Sequence, residues 1–164
     1  MRTLEPGAPA PEISLKSLNG EKASLREALK KGPVVAAFFK VSCPTCQFTA
    51  PFLERLHETY GGDKFTLWGI SQDNPEDTRE FNKELDVDFP MLIEAPGYAL
   101  SNQYGLTSVP SIFLISPDGK IAETSVGFSK ADLEQIAAAA AKATGTKPTP
   151  LFKVSENVPA VKPG

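Results

Sequence analysis

The sequence predicts an α/β domain, a central mixed β-sheet flanked by helices, and three observations carry that prediction. Short apolar, β-favouring runs such as Val34-Val35-Ala36-Ala37-Phe38-Phe39 alternate with stretches whose apolar residues recur at helical spacing. That alternation is the pattern of a largely parallel sheet with crossover helices. Near the end of the domain, two strand-like runs joined by Pro117-Asp118-Gly119 add an antiparallel hairpin, which makes the sheet mixed. At 164 residues with 41% apolar side chains, the chain suits one domain, 1–145, followed by a tail, 146–164.

Residues up to Pro11 are rich in proline and small side chains. Ile13, Leu15 and Leu18 then lead into Asn19-Gly20, a dipeptide suited to a hairpin turn. Ser24 is placed to cap a short helix through Leu25, Ala28 and Leu29, which Gly32-Pro33 ends. The run Val34 to Phe39 carries no polar side chain, so it is expected in the middle of the sheet, covered on both faces. From Pro44 the period changes. Phe48, Phe52, Leu56 and Tyr60 form one helical stripe, while Glu54, Arg55 and Glu58 lie off it. Pro51 should kink this helix and Gly61-Gly62 should stop it.

Lys64 to Ile70 reads as a second buried strand, with Trp68 in the core. Asp73-Asn74-Pro75-Glu76 reads as the start of a helix carrying Phe81 and Leu85, where the acids Asp73, Glu76 and Asp77 are favoured by the helix dipole. Phe89 to Ile93 suits a short strand, and Tyr98 to Tyr104 a short helix closed by Gly105. Ser111 to Ser116 and Ile121 to Val126 form the closing hairpin. Ser129, with Asp132 three residues on, marks the start of an alanine-rich helix whose apolar face uses Leu133, Ile136 and Ala140 and which ends near Gly145. Beyond it, proline, lysine and isolated apolar residues mix, and the tail is expected either docked across the domain or mobile.

A formal net charge of -3 leaves no cationic excess for a phosphate backbone or an anionic leaflet, so neither nucleic acid nor membrane is an expected partner. The longest apolar runs fall far short of the roughly 20 residues that span a bilayer. The first residues hold one positive charge but no apolar stretch of secretory length, so a cytoplasmic location is expected, or export if a leader has been removed.

Two cysteines are too few to staple a secreted mini-domain, and both lie in Cys43-Pro44-Thr45-Cys46, so they read as reactive. The motif stands where a buried strand ends and a helix begins. At that helix N-terminus, unpaired N–H groups and the dipole favour a negatively charged sulfur, which marks Cys43 as the nucleophile. Cys46, nearly one turn further in, is positioned to attack a mixed disulfide on Cys43 and is the resolving thiol. Pro44 fits the first helical position, where an N–H would go unpaired. Zinc is not expected, because its sites need three or four protein ligands and His57 is the only histidine beside the two cysteines. His57 itself, on a charged helix face, reads as solvent-exposed and without a role. No cofactor is expected.

These pieces resemble the thioredoxin-like superfamily, in the branch of TlpA/ResA-type thiol-disulfide oxidoreductases and AhpC/TSA peroxiredoxins. The resemblance spans roughly Pro6 to Ala143. It rests on Gly7-Ala8-Pro9-Ala10-Pro11-Glu12-Ile13-Ser14-Leu15 with Asn19-Gly20, the strand into Cys43-Pro44-Thr45-Cys46, and Pro51. Gly69-Ile70-Ser71, Val109-Pro110-Ser111-Ile112-Phe113-Leu114-Ile115 and Pro117-Asp118-Gly119 complete it. It implies a thioredoxin-like fold with an N-terminal hairpin and an insertion between the C-x-x-C helix and the strand after Pro110.

It also implies a cis Pro110 against the sulfurs, a Val109 backbone that pairs with an extended substrate segment, and Pro44 and Thr45 shaping the site. The implied activity is thiol-disulfide exchange on disulfide-containing proteins or small thiols, with a thiol reductant as second partner and a monomeric protein. The chain departs from the family at two places: the buried acid of the strand falls on Ala37, and the helix glutamate of ResA-type proteins on Thr49. Resolution by Cys46 is therefore expected to rely on water and to be slow, or to serve a specialised substrate. The tryptophan that often precedes the first cysteine is replaced by Ser42. Lys40 adds positive potential near Cys43 or is simply a solvated strand-end lysine.

Two alternatives differ in chemistry. A peroxiredoxin-like peroxidase would attack peroxide with Cys43 and resolve with Cys46. By resemblance it needs a threonine or serine three residues before the cysteine and a proline four before that, positions held by Lys40 and Ala36. A Sco-type copper chaperone would need cysteines spaced by three residues and a late histidine, and neither is present.

Overall fold

The structure, a computed structural model, describes residues 2–164. Its strands are β1 (Ser14–Ser17), β2 (Lys22–Ser24), β3 (Val34–Phe39), β4 (Thr66–Ser71), β5 (Met91–Ile93), β6 (Ser111–Ile115), β7 (Ile121–Val126), β8 (Phe128–Ser129) and β9 (Val161–Lys162). The helices are α1 (Leu25–Leu29), α2 (Pro44–Tyr60), α3 (Pro75–Leu85), α4 (Ala99–Gln103) and α5 (Lys130–Thr144). No helix among the described residues is long and apolar enough to cross a membrane.

Seven strands form one sheet in the order β2-β1-β5-β4-β3-β6-β7, and β8 with β9 forms a separate pair. The neighbours β3, β4 and β5 run parallel, whereas β6 and β7 are antiparallel, as is the β1–β2 hairpin around Asn19-Gly20. The predicted mixed α/β sheet is thus observed. Every residue of β3 is buried, because it has a strand on each side and helices on both faces. Val35, Ala37 and Phe39 point into a core shared with α2, α3 and α5, whereas Val34, Ala36 and Phe38 pack with Leu25 of α1 and Leu100 and Tyr104 by α4.

The caps follow local chemistry. Ser24, Asn74 and Ser129 each accept an N–H from three residues on, which ties down the first turns of α1, α3 and α5. Gly145, at φ +67, ends α5 in the left-handed conformation. α2 runs unbroken over Pro51. The N–H that Pro51 lacks would have gone to Gln47, and both residues are exposed, so the omission falls on the solvent side. β4 and β5 each begin two residues later than the apolar runs suggest. Phe65 lies in a turn bridged to Gly62, and the N–H of Phe89 goes to the Glu54 carboxylate at 3.0 Å instead of to a strand.

The tail, 146–164, lies across the domain. Leu151 and Phe152 are buried in the core on the α2/α5 side. The Phe152 ring lies 4.8 Å from that of Phe52 and 6.0 Å from that of Phe128, in tilted and edge-on geometries that favour aromatic pairs. Arg55 donates to the Leu151 carbonyl at 3.0 Å and to both Glu156 oxygens, and the guanidinium holds the Glu156 carboxyl down at about 2. Further on, β9 pairs antiparallel with β8, Phe128 opposite Lys162.

Replacing Phe152 with alanine empties an aromatic site in the core and should cost about 3 kcal/mol in folding free energy. Urea unfolding followed by circular dichroism checks it, and an unchanged midpoint would mean that the tail contributes nothing to the fold.

Candidate active site

The site is built where β3 delivers the chain to α2. Cys43 is the N-cap of α2 in extended conformation, and its sulfur accepts the Cys46 N–H at 3.2 Å. Pro44 occupies the first helical position, exposed, as its missing N–H allows. The two cysteines are free thiols of unequal exposure: Cys43 is half-buried and Cys46 buried, 2% exposed. The Cys43 thiol also donates to the Val109 carbonyl at 3.5 Å. That carbonyl precedes Pro110, and the Val109-Pro110 peptide is cis. The residues singled out from the sequence, Cys43, Pro44, Thr45, Cys46, Val109 and Pro110, therefore converge on one place.

Burial pushes the Cys46 thiol well above the ordinary thiol range. The hydrogen bond with Cys43 and the negative charges of Cys43 and Asp73 add to this, while the Lys40 backbone pulls the other way. The positions of the absent family acids are both apolar or self-satisfied. Ala37 is buried, level with Gly69 on β4 and Ile112 on β6. Thr49 is buried and gives its hydroxyl to the Thr45 carbonyl at 2.7 Å. Among the described residues no carboxylate hydrogen-bonds to either sulfur.

Two expectations need correction, and a third residue gains a partner. Asp73 does not serve the start of α3, whose cap is Asn74. Its carboxylate turns back and accepts the Val41 N–H at 2.8 Å, in the loop just before Cys43. The Val41 carbonyl in turn accepts from the Gln47 side chain at 2.9 Å. Both backbone groups of this loop residue are satisfied by side chains, which fixes the approach to the motif. Asp73 follows Gly69-Ile70-Ser71 closely in the chain, but its long-range partner carries no local signal. His57 is half-buried, not solvent-exposed, and its Nδ1 is buried beside Gly61 without a hydrogen-bond partner. Lys40 lies at the surface just after the end of β3, as a strand-end lysine does. It donates to the Tyr98 hydroxyl at 3.1 Å, and that bond raises its pKa above the usual lysine value.

Thr45 holds a contact the sequence does not announce. Its hydroxyl donates to the Pro163 carbonyl at 2.6 Å, so the tail reaches the motif. Lys162 lies over the Phe48 ring, 4.6 Å from its centroid. No group of three or more His, Cys, Asp or Glu side chains with metal-binding geometry occurs among the described residues.

A dithiol at a helix N-terminus at the end of the central strand, with a cis X-Pro bond whose preceding carbonyl meets the less buried sulfur, defines a thioredoxin-like thiol-disulfide oxidoreductase. The chain belongs to the AhpC/TSA family, whose profile matches residues 6–124. It is 31% identical over 137 residues to the thioredoxin-like protein YneN of Bacillus subtilis, covering 80% of this chain and 78% of YneN. It is 29% identical over 122 residues to the thiol-disulfide oxidoreductase ResA of Bacillus cereus, covering 74% of this chain and 69% of ResA. Among solved structures, it is similar to the thioredoxin domain of a thiol-disulfide oxidoreductase from Bacteroides vulgatus, with a TM-score of 0.72 and 26% identity. That likeness covers 82% of this chain and 96% of the domain.

The raised Cys46 pKa has a sign for stability. The unfolded thiol ionises near its ordinary value of about 8.5, the folded one above it, so the folded state holds its proton longer and stability is lost as pH rises past that value. The thermal midpoint of the reduced protein should therefore fall more between about pH 8 and about pH 10 than that of Cys46→Ala. Equal slopes by calorimetry would show that Cys46 ionises as freely in the folded protein as in the unfolded chain.

Proposed function

We propose that the protein reduces disulfides in other proteins, with Cys43 as the attacking and Cys46 as the resolving thiol. The observation that carries this reading is the inequality of the two sulfurs. Cys43 is the one reached from outside and accepts an N–H at the helix start, while Cys46 is buried behind it and held protonated. The relatives' names, thiol-disulfide oxidoreductase for ResA and thioredoxin-like for YneN, support the same chemistry.

In the first step the Cys43 thiolate attacks one sulfur of the substrate disulfide. A Cys43–substrate disulfide forms, and the leaving substrate thiolate takes a proton from water. In the second, Cys46 gives its proton to water and attacks the Cys43 sulfur. The internal disulfide forms and the second substrate thiol departs. Two electrons have passed to the substrate, and an external thiol restores the Cys43 and Cys46 pair. With Ala37 and Thr49 at the positions where the family resemblance implies acids, no side chain takes the Cys46 proton, so the second step depends on the small ionised fraction of that thiol.

The Cys46→Ser variant should trap a mixed disulfide with insulin, visible on non-reducing gels, and Cys43→Ser should lower insulin reduction by at least about a hundredfold. In the wild-type protein, stopped-flow decay of the mixed disulfide should speed up about tenfold per pH unit between neutral pH and pH ~9, because the ionised fraction of Cys46 grows in that proportion. A pH-independent decay would mean that an internal base serves Cys46. Full insulin reduction by Cys43→Ser would reverse the roles, and peroxide consumption much faster than that of a free thiol would favour the peroxidase reading instead.

A further inference from the structure

The tail makes two kinds of contact. Residues 151–156 are anchored by side chains, through the burial of Leu151 and Phe152 and the Arg55–Glu156 ion pair. Residues 160–163 are held mainly through backbone. The Ala160 carbonyl accepts the Lys130 N–H at 2.9 Å, Val161 and Lys162 pair with Ser129 and Phe128, and the Pro163 carbonyl accepts the Thr45 hydroxyl at 2.6 Å. Val161 is largely exposed, at 67%, so its side chain does little to hold the strand. Gly164 then lies so close to the Val109 carbonyl that a Cβ there would collide with it. This is the carbonyl that accepts from the Cys43 thiol.

The floor under this segment is shaped for a backbone. Gly127, at φ +76, donates its N–H to the Pro110 carbonyl at 2.8 Å, and a Cβ on it would come 2.7 Å from the Lys162 carbonyl. Glycine is therefore needed twice here, for its conformation and for the close approach of the strand. One side-chain contact adds selectivity: the Lys162 ammonium over the Phe48 ring, a cation–π arrangement.

We propose that Thr45, Phe48, Gly127, Phe128 and Val109 form a docking groove for an extended, lysine-bearing segment of the disulfide substrate, and that residues 160–163 occupy it as an internal stand-in. The substrate half of this inference rests on the disulfide-reductase reading above. Strand addition explains how one groove accepts many sequences, since the backbone supplies the bonds and a single side chain the preference. The segment competes with protein substrates for the groove. A small disulfide, which needs only the Cys43 sulfur, is not excluded in the same way. When the closed form outweighs the open one by about ten to one, the apparent affinity for a protein substrate falls about tenfold, with little change at saturation.

The test compares the full chain, full-length Lys162→Glu, and a form that stops after Pro159 and so keeps Leu151, Phe152 and Glu156. Circular dichroism first establishes that each is folded. The shortened form should show a KM for insulin about tenfold lower than the full chain, Lys162→Glu a smaller decrease, and all three the same rate with oxidised glutathione. The acetylated peptide Val-Pro-Ala-Val-Lys-Pro-Gly should bind the shortened form by calorimetry and inhibit its insulin reduction, and the same peptide with glutamate for lysine should do so less. An unchanged insulin KM in both variants, or no peptide binding, overturns the proposal. Peptide binding without turnover of either disulfide by any form would overturn the reductase reading and uphold the groove.

Discussion

The structure depends on the join between β3 and α2, where a strand buried on both faces must hand its chain to a helix in the space of four residues. Backbone groups in such a turn lose water and have no ladder or helix to replace it. The molecule satisfies them from three directions. Asp73 and Gln47 take the N–H and carbonyl of Val41, the Cys43 sulfur takes the N–H of Cys46, and the Lys40 carbonyl takes the N–H of Cys43. The reactive sulfur is thus also a structural cap. Its position is fixed by the same bonds that finish the helix, with the Asp73 and Gln47 side chains fixing the loop before it.

Much of this was legible in the sequence because it is local. The capping serines, the proline at the first turn of α2, the hairpin dipeptide and the unbroken apolar run of β3 each act within a few residues, and each is found where the pattern put it. The convergence of Val109-Pro110 on Cys43, 66 residues away, was legible only through resemblance to a family. What stayed hidden is long-range and side-chain specific. Asp73 looks like a helix-start acid until its partner in another loop is seen, and Arg55 looks like a surface charge until Glu156 of the tail reaches it. The charged neighbourhood of His57 in sequence carries no sign of the backbone turn at Gly61, beside which its Nδ1 is buried.

The electrostatic character of the pair follows from the same packing. The family resemblance leads one to expect acids at the positions of Ala37 and Thr49, as proton acceptors for the inner thiol. Here the first position has been given to the core and the second to a hydroxyl that binds its own helix. Asp73 is the carboxylate whose charge reaches Cys46, and its effect is to oppose ionisation. It is tied to Val41, so its main contribution to the site is to shape the loop, while burial is what chiefly keeps the inner thiol neutral.

The division of the tail into an anchor and a cover bears on how the site opens. Residues 151–156 are fixed by aromatic packing and a bidentate ion pair, interactions that fail only when part of the core does. Residues 160–163 are fixed by a short backbone ladder, one hydroxyl and one cation over a ring, at the edge of the molecule. Elements with few buried apolar contacts open at a small fraction of the global unfolding free energy. The cover therefore detaches without the anchor, and the anchor keeps it near the groove. Because Thr45 lies between the two cysteines, the state of the cover and the accessibility of Cys43 are read at the same turn of helix.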